Sequence, residues 1–163
     1  MSYRRTTTLM LIIVVLAAAA AIAGEAPWFD MDNCAMCKNL SKHEGLLENM
    51  SWEQYNISNG IVAVAMVKPD YMKAYRTAHM EMGEVSERLY KGKQLEMCSS
   101  CSALGACLME GASQEYVETS HGDVWIVTSD NKETVAKLQK WSKRNMDEMA
   151  KMHGDSDHSG HSH

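Results

Sequence analysis

Two cysteine pairs with the same spacing constrain this chain more than any other feature. Cys34 and Cys37 form the first C-x-x-C pair, and Cys98 and Cys101 form the second. Such a pair can bind one metal ion or undergo thiol–disulfide exchange. Sixty residues separate the two pairs, whereas the pairs of zinc ribbons lie about 15–20 residues apart. The chain is therefore not a zinc ribbon, and a folded unit is expected between the pairs.

The first unit, about residues 32–92, is predicted as helix, strand, turn, strand and helix. Asn33 is the expected N-cap of a helix that runs to about Leu47 and carries the first cysteine pair in its first turn. Asn59-Gly60 predicts a hairpin turn after the strand 52–57. The next strand, 61–67, is almost wholly apolar, which predicts burial on both faces. A helix from about Pro69 to Lys91 follows.

The second unit, about residues 96–153, repeats this order. Cys98 and Cys101 open a helix through Met109, His121-Gly122 is the hairpin turn, and Ser129 or Asp130 caps the last helix. An offset of 64 residues superimposes the cysteines, and an offset of 62 superimposes Gly60 on Gly122. We therefore predict an α+β fold of two tandem helix–strand–strand–helix repeats, joined as one antiparallel sheet with helices on one face.

The two ends of the chain differ from this domain of residues 24–153. Residues 1–23 contain Arg4 and Arg5, an apolar run and a small-residue cleavage pattern, which together predict a signal peptide. The alternative is an uncleaved membrane anchor. Residues 154–163 are polar and rich in histidine, which predicts a disordered tail. We expect an extracytoplasmic protein, periplasmic or secreted.

The cysteine pairs allow three interpretations. In the first turn of a helix, thiolates are stabilised by free amides and by the helix dipole, which suits metal binding and disulfide exchange alike. Two inert disulfides are the structural alternative. Cys107 is the odd thiol, and the offset of 64 places His43 on it. Either residue could be a third ligand of its unit, although six residues along a regular helix turn the side chain away from the pair.

Methionine and histidine supply further candidate ligands. The chain contains 14 Met and only one Phe, and thioethers suit Cu(I) whereas imidazoles suit Cu(II) and zinc. His79 lies one position off the apolar stripe of its helix, so a partly buried structural histidine is the alternative to a ligand. The tail is an auxiliary capture arm or a solubilising segment, and its candidate ligands are His153, His158, His161 and His163.

Several function classes are disfavoured. The formal net charge of −5 without a basic patch argues against nucleic-acid binding. Neither pair is followed by His, so no haem is attached. A thioredoxin-type enzyme needs a strand before its C-x-x-C, and only about ten residues of the mature chain precede Cys34.

The first unit, with Asp32-Asn33-Cys34-Ala35-Met36-Cys37-Lys38 followed by a hairpin and a helix, resembles the nitrous-oxide-reductase accessory proteins. These are exported copper chaperones built from two related β-β-α units. The resemblance covers about residues 32–80 and implies Cys34 and Cys37 as Cu(I) ligands. Asn39 stands where the family commonly has Met, and the family lacks the predicted helix before the hairpin.

The resulting expectation is a non-enzymatic, exported metal-binding protein that carries copper or, next, zinc on Cys34, Cys37, Cys98 and Cys101. It would sequester the ion or transfer it to a partner protein. It would contact a membrane only if the N-terminal segment stays attached. The alternatives are an extracytoplasmic thiol–disulfide exchange protein with a redox partner, and a disulfide-stapled interaction module without chemistry.

Overall fold

The computed structural model describes residues 26–154, which form an α+β fold with one four-stranded antiparallel sheet. Four helices and four strands alternate in pairs along this part of the chain. In chain order they are α1 (Lys38–Ser41), β1 (Met50–Ile57), β2 (Gly60–Val67), α2 (Met72–Tyr90), α3 (Ser99–Met109), β3 (Ser113–Thr119), β4 (Gly122–Thr128) and α4 (Lys132–Gly154).

The strand order β1-β2-β4-β3 places the two hairpins side by side with β2 and β4 in the centre. Ile57 faces Gly60 in the first hairpin, and Thr119 faces Gly122 in the second. These positions are related by an offset of 62 residues. Ala63 of β2 pairs with Trp125 of β4, its own counterpart at that offset. The strand pairing is therefore pseudo-twofold symmetric about this central pair.

The helices cover one face of the sheet. Two apolar clusters fill the space between helices and sheet, and both use alternate residues of β2. One cluster contains Ile61, Ala63, Cys107, Trp125, Val127, Leu138 and Trp141. The other contains Leu40, Leu46, Ala65, Val67, Tyr75 and Ala78. The prediction of one antiparallel sheet is confirmed, and the buried residues of β2 and β4 place the helical layer on a single side.

The helix predicted from Asn33 to about Leu47 is wrong in extent. It spans only Lys38–Ser41, and Cys37 rather than Asn33 precedes its first residue. Cys34 and Cys37 consequently lie in a turn ahead of the helix instead of in its first turn. Gly45 has φ of +74°, and a Cβ there would lie 2.9 Å from Tyr71. A left-handed glycine packed against an aromatic ring is incompatible with a helix that continues to Leu47.

The prediction that strand 61–67 is buried on both faces is also wrong. Ile61, Ala63, Ala65 and Val67 are buried, whereas the intervening side chains are half-buried or exposed. The hairpin loops are Ser58-Asn59 and Ser120-His121, so each glycine begins a strand. A Cβ on Gly60 would lie 1.9 Å from the carbonyl oxygen of Val127. This glycine is therefore required for close approach of β4 rather than for the turn.

The last helix begins at a different cap from the predicted one. The Asn131 side chain accepts hydrogen bonds from the amides of Glu133 and Thr134, at 2.8 and 3.3 Å. Asn131 therefore takes the role expected of Ser129 or Asp130. Within residues 26–154, no helix combines the length and apolar character needed to cross a membrane. The predicted signal peptide and the tail lie outside the described residues.

Candidate metal centre

The two cysteine pairs meet at one place between the N-terminal turn and the start of α3. The sulfur atoms of Cys34, Cys37, Cys98 and Cys101 all lie within 4.8 Å of one another. The Cys37 sulfur is 3.6 Å from that of Cys98 and 3.6 Å from that of Cys101. The pairs therefore form one shared cluster, and every cysteine of the chain is a free thiol.

Hydrogen bonds to neighbouring backbone hold the first pair. The amide of Cys34 donates to the carbonyl oxygen of Asp30 at 3.3 Å, and that of Lys38 donates to the carbonyl oxygen of Cys34 at 3.1 Å. The amide of Ala35 donates to the carbonyl oxygen of Glu96 at 2.8 Å. Since Ala35 lies inside the first pair and Glu96 just ahead of the second, this bond ties the two cysteine segments together.

The N-terminal segment and helix α4 both form hydrogen bonds with the second pair's segment at the start of α3. The amides of Ser99 and Ser100 donate to the carbonyl oxygens of Pro27 and Trp28, each at 3.0 Å. The Ser100 hydroxyl donates to Oδ1 of Asn145 at 2.8 Å. Two amides at this helix end are therefore bonded to the N-terminal segment. The expectation that they remain free for the thiolates is wrong for Ser99 and Ser100.

Contacts within the cluster shift the pKa values of three of its thiols in different directions. The pKa of Cys34 is far below the ordinary thiol value because its sulfur accepts hydrogen bonds from the thiols of Cys101 and Cys37 and from the amides of Cys37 and Cys98. The pKa of Cys101 is raised by the hydrogen bonds that it donates to Cys34 and Cys37 and by burial.

The bond with Cys101 lowers the pKa of Cys37. The bond that Cys37 donates to Cys34, burial and the Cys34 charge outweigh this effect and raise the pKa overall. The Cys34 thiolate is thus stabilised by hydrogen bonds from the protonated thiols of Cys37 and Cys101, and metal binding would release the protons of these two thiols.

The donor set fits a soft metal ion. Tetrahedral coordination with metal–sulfur bonds near 2.3 Å places the sulfurs about 3.8 Å apart, close to the 3.6 Å contacts of Cys37. Cys34, Cys37 and Cys98 are buried, and Cys101 is half-buried. The half-buried thioethers of Met31, Met36 and Met97 pack against the cluster. A metal held here would be shielded on most sides and accessible near Cys101.

Cys107 and His43 lie away from the four sulfurs. Cys107 is 2% exposed and packs in the apolar cluster with Trp125 and Trp141, and burial raises its pKa. Nε2 of His43 lies 3.5 Å from the Glu81 carboxylate. The offset that aligns these two residues in sequence therefore does not bring them to the cysteine cluster. His43 lies beyond the end of α1, and Cys107 lies six residues after Cys101 on α3, which turns its side chain to the apolar core.

His79 lies in a different polar network on the helical side of the sheet. Its Nδ1 is 3.3 Å from Oδ2 of the buried Asp123, which also accepts a 2.7 Å hydrogen bond from the Tyr75 hydroxyl. Burial lowers the pKa of His79 and outweighs the opposing effect of Asp123. The side chain of His153 and the residues His158, His161 and His163 lie outside the described part, so their capture role stays a prediction.

Sequence reasoning missed the residues that support the cluster. Asn145 is 3% exposed, and its Oδ1 accepts hydrogen bonds from Ser100 and from Nε1 of Trp28. The indole of Trp141 donates to the carbonyl oxygen of Ser100 at 3.0 Å. The one available signal was the four-residue spacing of Trp141 and Asn145 along a helix whose apolar stripe includes the tryptophan. Met36 and Met97 are next to cysteines in the sequence, whereas Met31 has no such signal.

Comparison with known proteins returned no matching family model, no matching curated protein and no matching solved structure. The resemblance of the first unit to the nitrous-oxide-reductase accessory proteins therefore stays an expectation. The class of protein is defined by the site itself, which is a four-cysteine cluster compatible with metal binding.

Proposed function

We propose that this chain is an exported, non-enzymatic protein that binds a soft metal ion, copper(I) first and zinc next, on Cys34, Cys37, Cys98 and Cys101. The observation that carries the proposal is the convergence of four sulfurs within 4.8 Å from segments sixty residues apart. The four sulfurs form a suitable ligand set for a thiophilic ion.

One observation favours copper(I) over zinc, and a second favours transfer of the ion over permanent storage. The side chains of Met31, Met36 and Met97 pack against the cysteine cluster, and their thioethers are donors that suit Cu(I). Cys101 is the least buried ligand, so a thiolate of an accepting protein could displace it from the metal before the other three. The ion would then leave by stepwise ligand exchange.

The proposal also includes export of the chain and its origin by duplication of one unit. The basic start and apolar run of residues 1–23 support export. The matching hairpin registers at an offset of 62 residues support an origin by duplication. A duplicated unit with one cysteine pair explains why each half supplies two of the four sulfurs.

Thiol–disulfide exchange is the second candidate. The depressed pKa of Cys34 favours it, because a thiolate is the attacking species in exchange. Cys37 lies 3.6 Å from two potential partners across the cluster. The stapled module receives less support, since all five cysteines are free.

Metal analysis combined with thiol titration, on the full chain purified without oxygen, tests the proposal. We expect bound metal after exposure to Cu(I) or Zn²⁺, with the four thiols unreactive until the metal is removed. Cys34→Ser and Cys98→Ser should abolish stable binding. Cys107→Ser is the matched control and should keep the wild-type stoichiometry, because this thiol lies in the apolar core.

Each alternative function predicts a different outcome of the same measurements. Four reduced, rapidly reacting thiols that bind no metal even after loading would contradict the proposal and support exchange. Slowly reacting disulfides whose loss lowers only the melting temperature would support the stapled module.

A further inference from the structure

The face of the sheet opposite the helices carries an uncovered apolar surface, here called the open face. Among the described residues, none packs over it. The apolar side chains that project from it are those of Tyr55, Ile57, Val62, Val64, Met66, Val117, Val124 and Ile126. Tyr55 and Met66 are each 54% exposed, and Val117 is 46% exposed. A contiguous apolar surface of this kind is typical of an interaction site.

The charges on the open face have a single sign. Two rows cross the four strands, Glu53–Val64–Val124–Val117 and Tyr55–Val62–Ile126–Glu115. Within the four strands, Glu53 and Glu115 are the only charged residues whose side chains project from this face. They stand on the two edge strands, at diagonally opposite corners of the block that these two rows form, about 16 Å apart if three strand spacings and two residue rises are combined. No lysine or arginine of the strands neutralises them there.

The charge and the size of the open face indicate which kind of partner can bind it. A second copy stacked on this face would bring four carboxylates around one apolar contact, which like-charge repulsion disfavours. The face measures about 20 Å by 23 Å, roughly 450 Å² of sheet, below the roughly 800 Å² per partner of a stable interface. A transient partner with complementary charge fits both observations.

We propose that the open face docks a transient protein partner whose apolar surface is flanked by two lysine or arginine side chains about 16 Å apart. The apolar rows supply the desolvated contact, and Glu53 and Glu115 pair with the two basic residues at the corners. This inference does not rest on the metal centre, which lies among the helices on the other side of the sheet.

A pair of helical peptides tests the proposal by nuclear magnetic resonance titration of the full chain. Both carry one apolar stripe, with either lysine or glutamate at its two ends, about eleven residues or 16 Å apart. We expect the lysine peptide to shift the resonances of Val62, Val64, Val124 and Ile126 and to bind about tenfold more tightly than the glutamate peptide. The double variant Glu53→Lys/Glu115→Lys should reverse this preference.

The matched control is Glu44→Lys/Glu84→Lys, which changes the net charge equally at exposed positions off the open face. It should keep the preference for the lysine peptide. Absence of shifts at the open face, or an equal response of the two double variants, would overturn the proposal. So would protection of Val62 and Val124 from a soluble paramagnetic agent in the free protein, because the chain itself or a second copy would then cover the face.

Discussion

Asn145→Ala is the most informative perturbation of the support behind the cysteine cluster. Oδ1 of Asn145 accepts hydrogen bonds from the Trp28 indole and the Ser100 hydroxyl, each at 2.8 Å, and the residue is 3% exposed. Alanine leaves both donors without this acceptor. Each lost acceptor costs about 1–3 kcal/mol when the donor stays buried, so the loss of two lowers the expected free energy of unfolding by about 2–6 kcal/mol.

Urea unfolding of the reduced, metal-free full chain measures this change. A loss of about 3 kcal/mol corresponds to a fall in melting temperature of about 10 °C for a domain of this size. Asn56→Ala is the matched control, because this asparagine is exposed on an edge strand, and it should cost less than about 0.5 kcal/mol. Asn145→Ala should also weaken metal affinity by about tenfold, since Ser100 lies between Cys98 and Cys101.

A double-mutant cycle with Ser100→Ala identifies the cause. Because the two side chains share one hydrogen bond, the double variant should lose less stability than the sum of the single variants, with a coupling of about 1 kcal/mol. Strict additivity, or a loss below about 1 kcal/mol for Asn145→Ala, would refute the assigned network. Trp141 would not compensate, because its indole donates to Ser100 and cannot accept from the Ser100 hydroxyl.

Three further predictions concern the fold and the site. Gly60→Ala should lower the free energy of unfolding by more than about 3 kcal/mol, because its Cβ would lie 1.9 Å from the carbonyl oxygen of Val127. Gly83→Ala is the control: its Cβ would meet nothing within 4 Å, so the free energy of unfolding should rise by about 0.5–1 kcal/mol in the same urea assay. The lowered folded-state pKa of His79 beside Asp123 means that the unfolded chain binds the proton more tightly, so stability should fall as pH drops below about 6.5. His79→Gln should flatten that slope in urea titrations between pH 5 and 7.5, and an unchanged slope would contradict the assignment. Removing metal with a chelator should lower the melting temperature, since an ion present at about 1,000 times its Kd contributes about 4 kcal/mol; an unchanged melting curve would argue against a metal bound only by the folded state.

Local signals in the sequence account for the correct part of the predicted fold. Strand-forming segments on either side of Asn59-Gly60 and of His121-Gly122 predict two hairpins, because strand pairing across a short turn needs only neighbouring residues. The Pro69 start and the apolar stripe through Tyr75 and Ala78 predict α2 for the same reason. These elements stand at the expected places in chain order.

Other features depend on contacts that the sequence does not display. The helix after Cys37 stops at Ser41, and a left-handed Gly45 next to Tyr71 prevents its continuation to Leu47. The burial of only one face of β2 follows from the placement of all helices on the same side, which a run of apolar residues cannot reveal. Alternate side chains of this run therefore pack in the core, and the side chains between them lie on the open face.

The sequence by itself determined that the chain carries two thiol pairs of the same spacing, sixty residues apart, because spacing along the chain is a local property. Only the tertiary structure decided that all four sulfurs meet in one cluster and that Cys107 belongs to the apolar core instead. The physical reason is that contacts between distant parts of the chain join the two halves: β2 pairs with β4 in one sheet, and the amide of Ala35 donates to the carbonyl oxygen of Glu96, which ties the two cysteine segments together. Hydrogen bonds over long sequence separations, such as that between Ser100 and Asn145, then hold the second segment there.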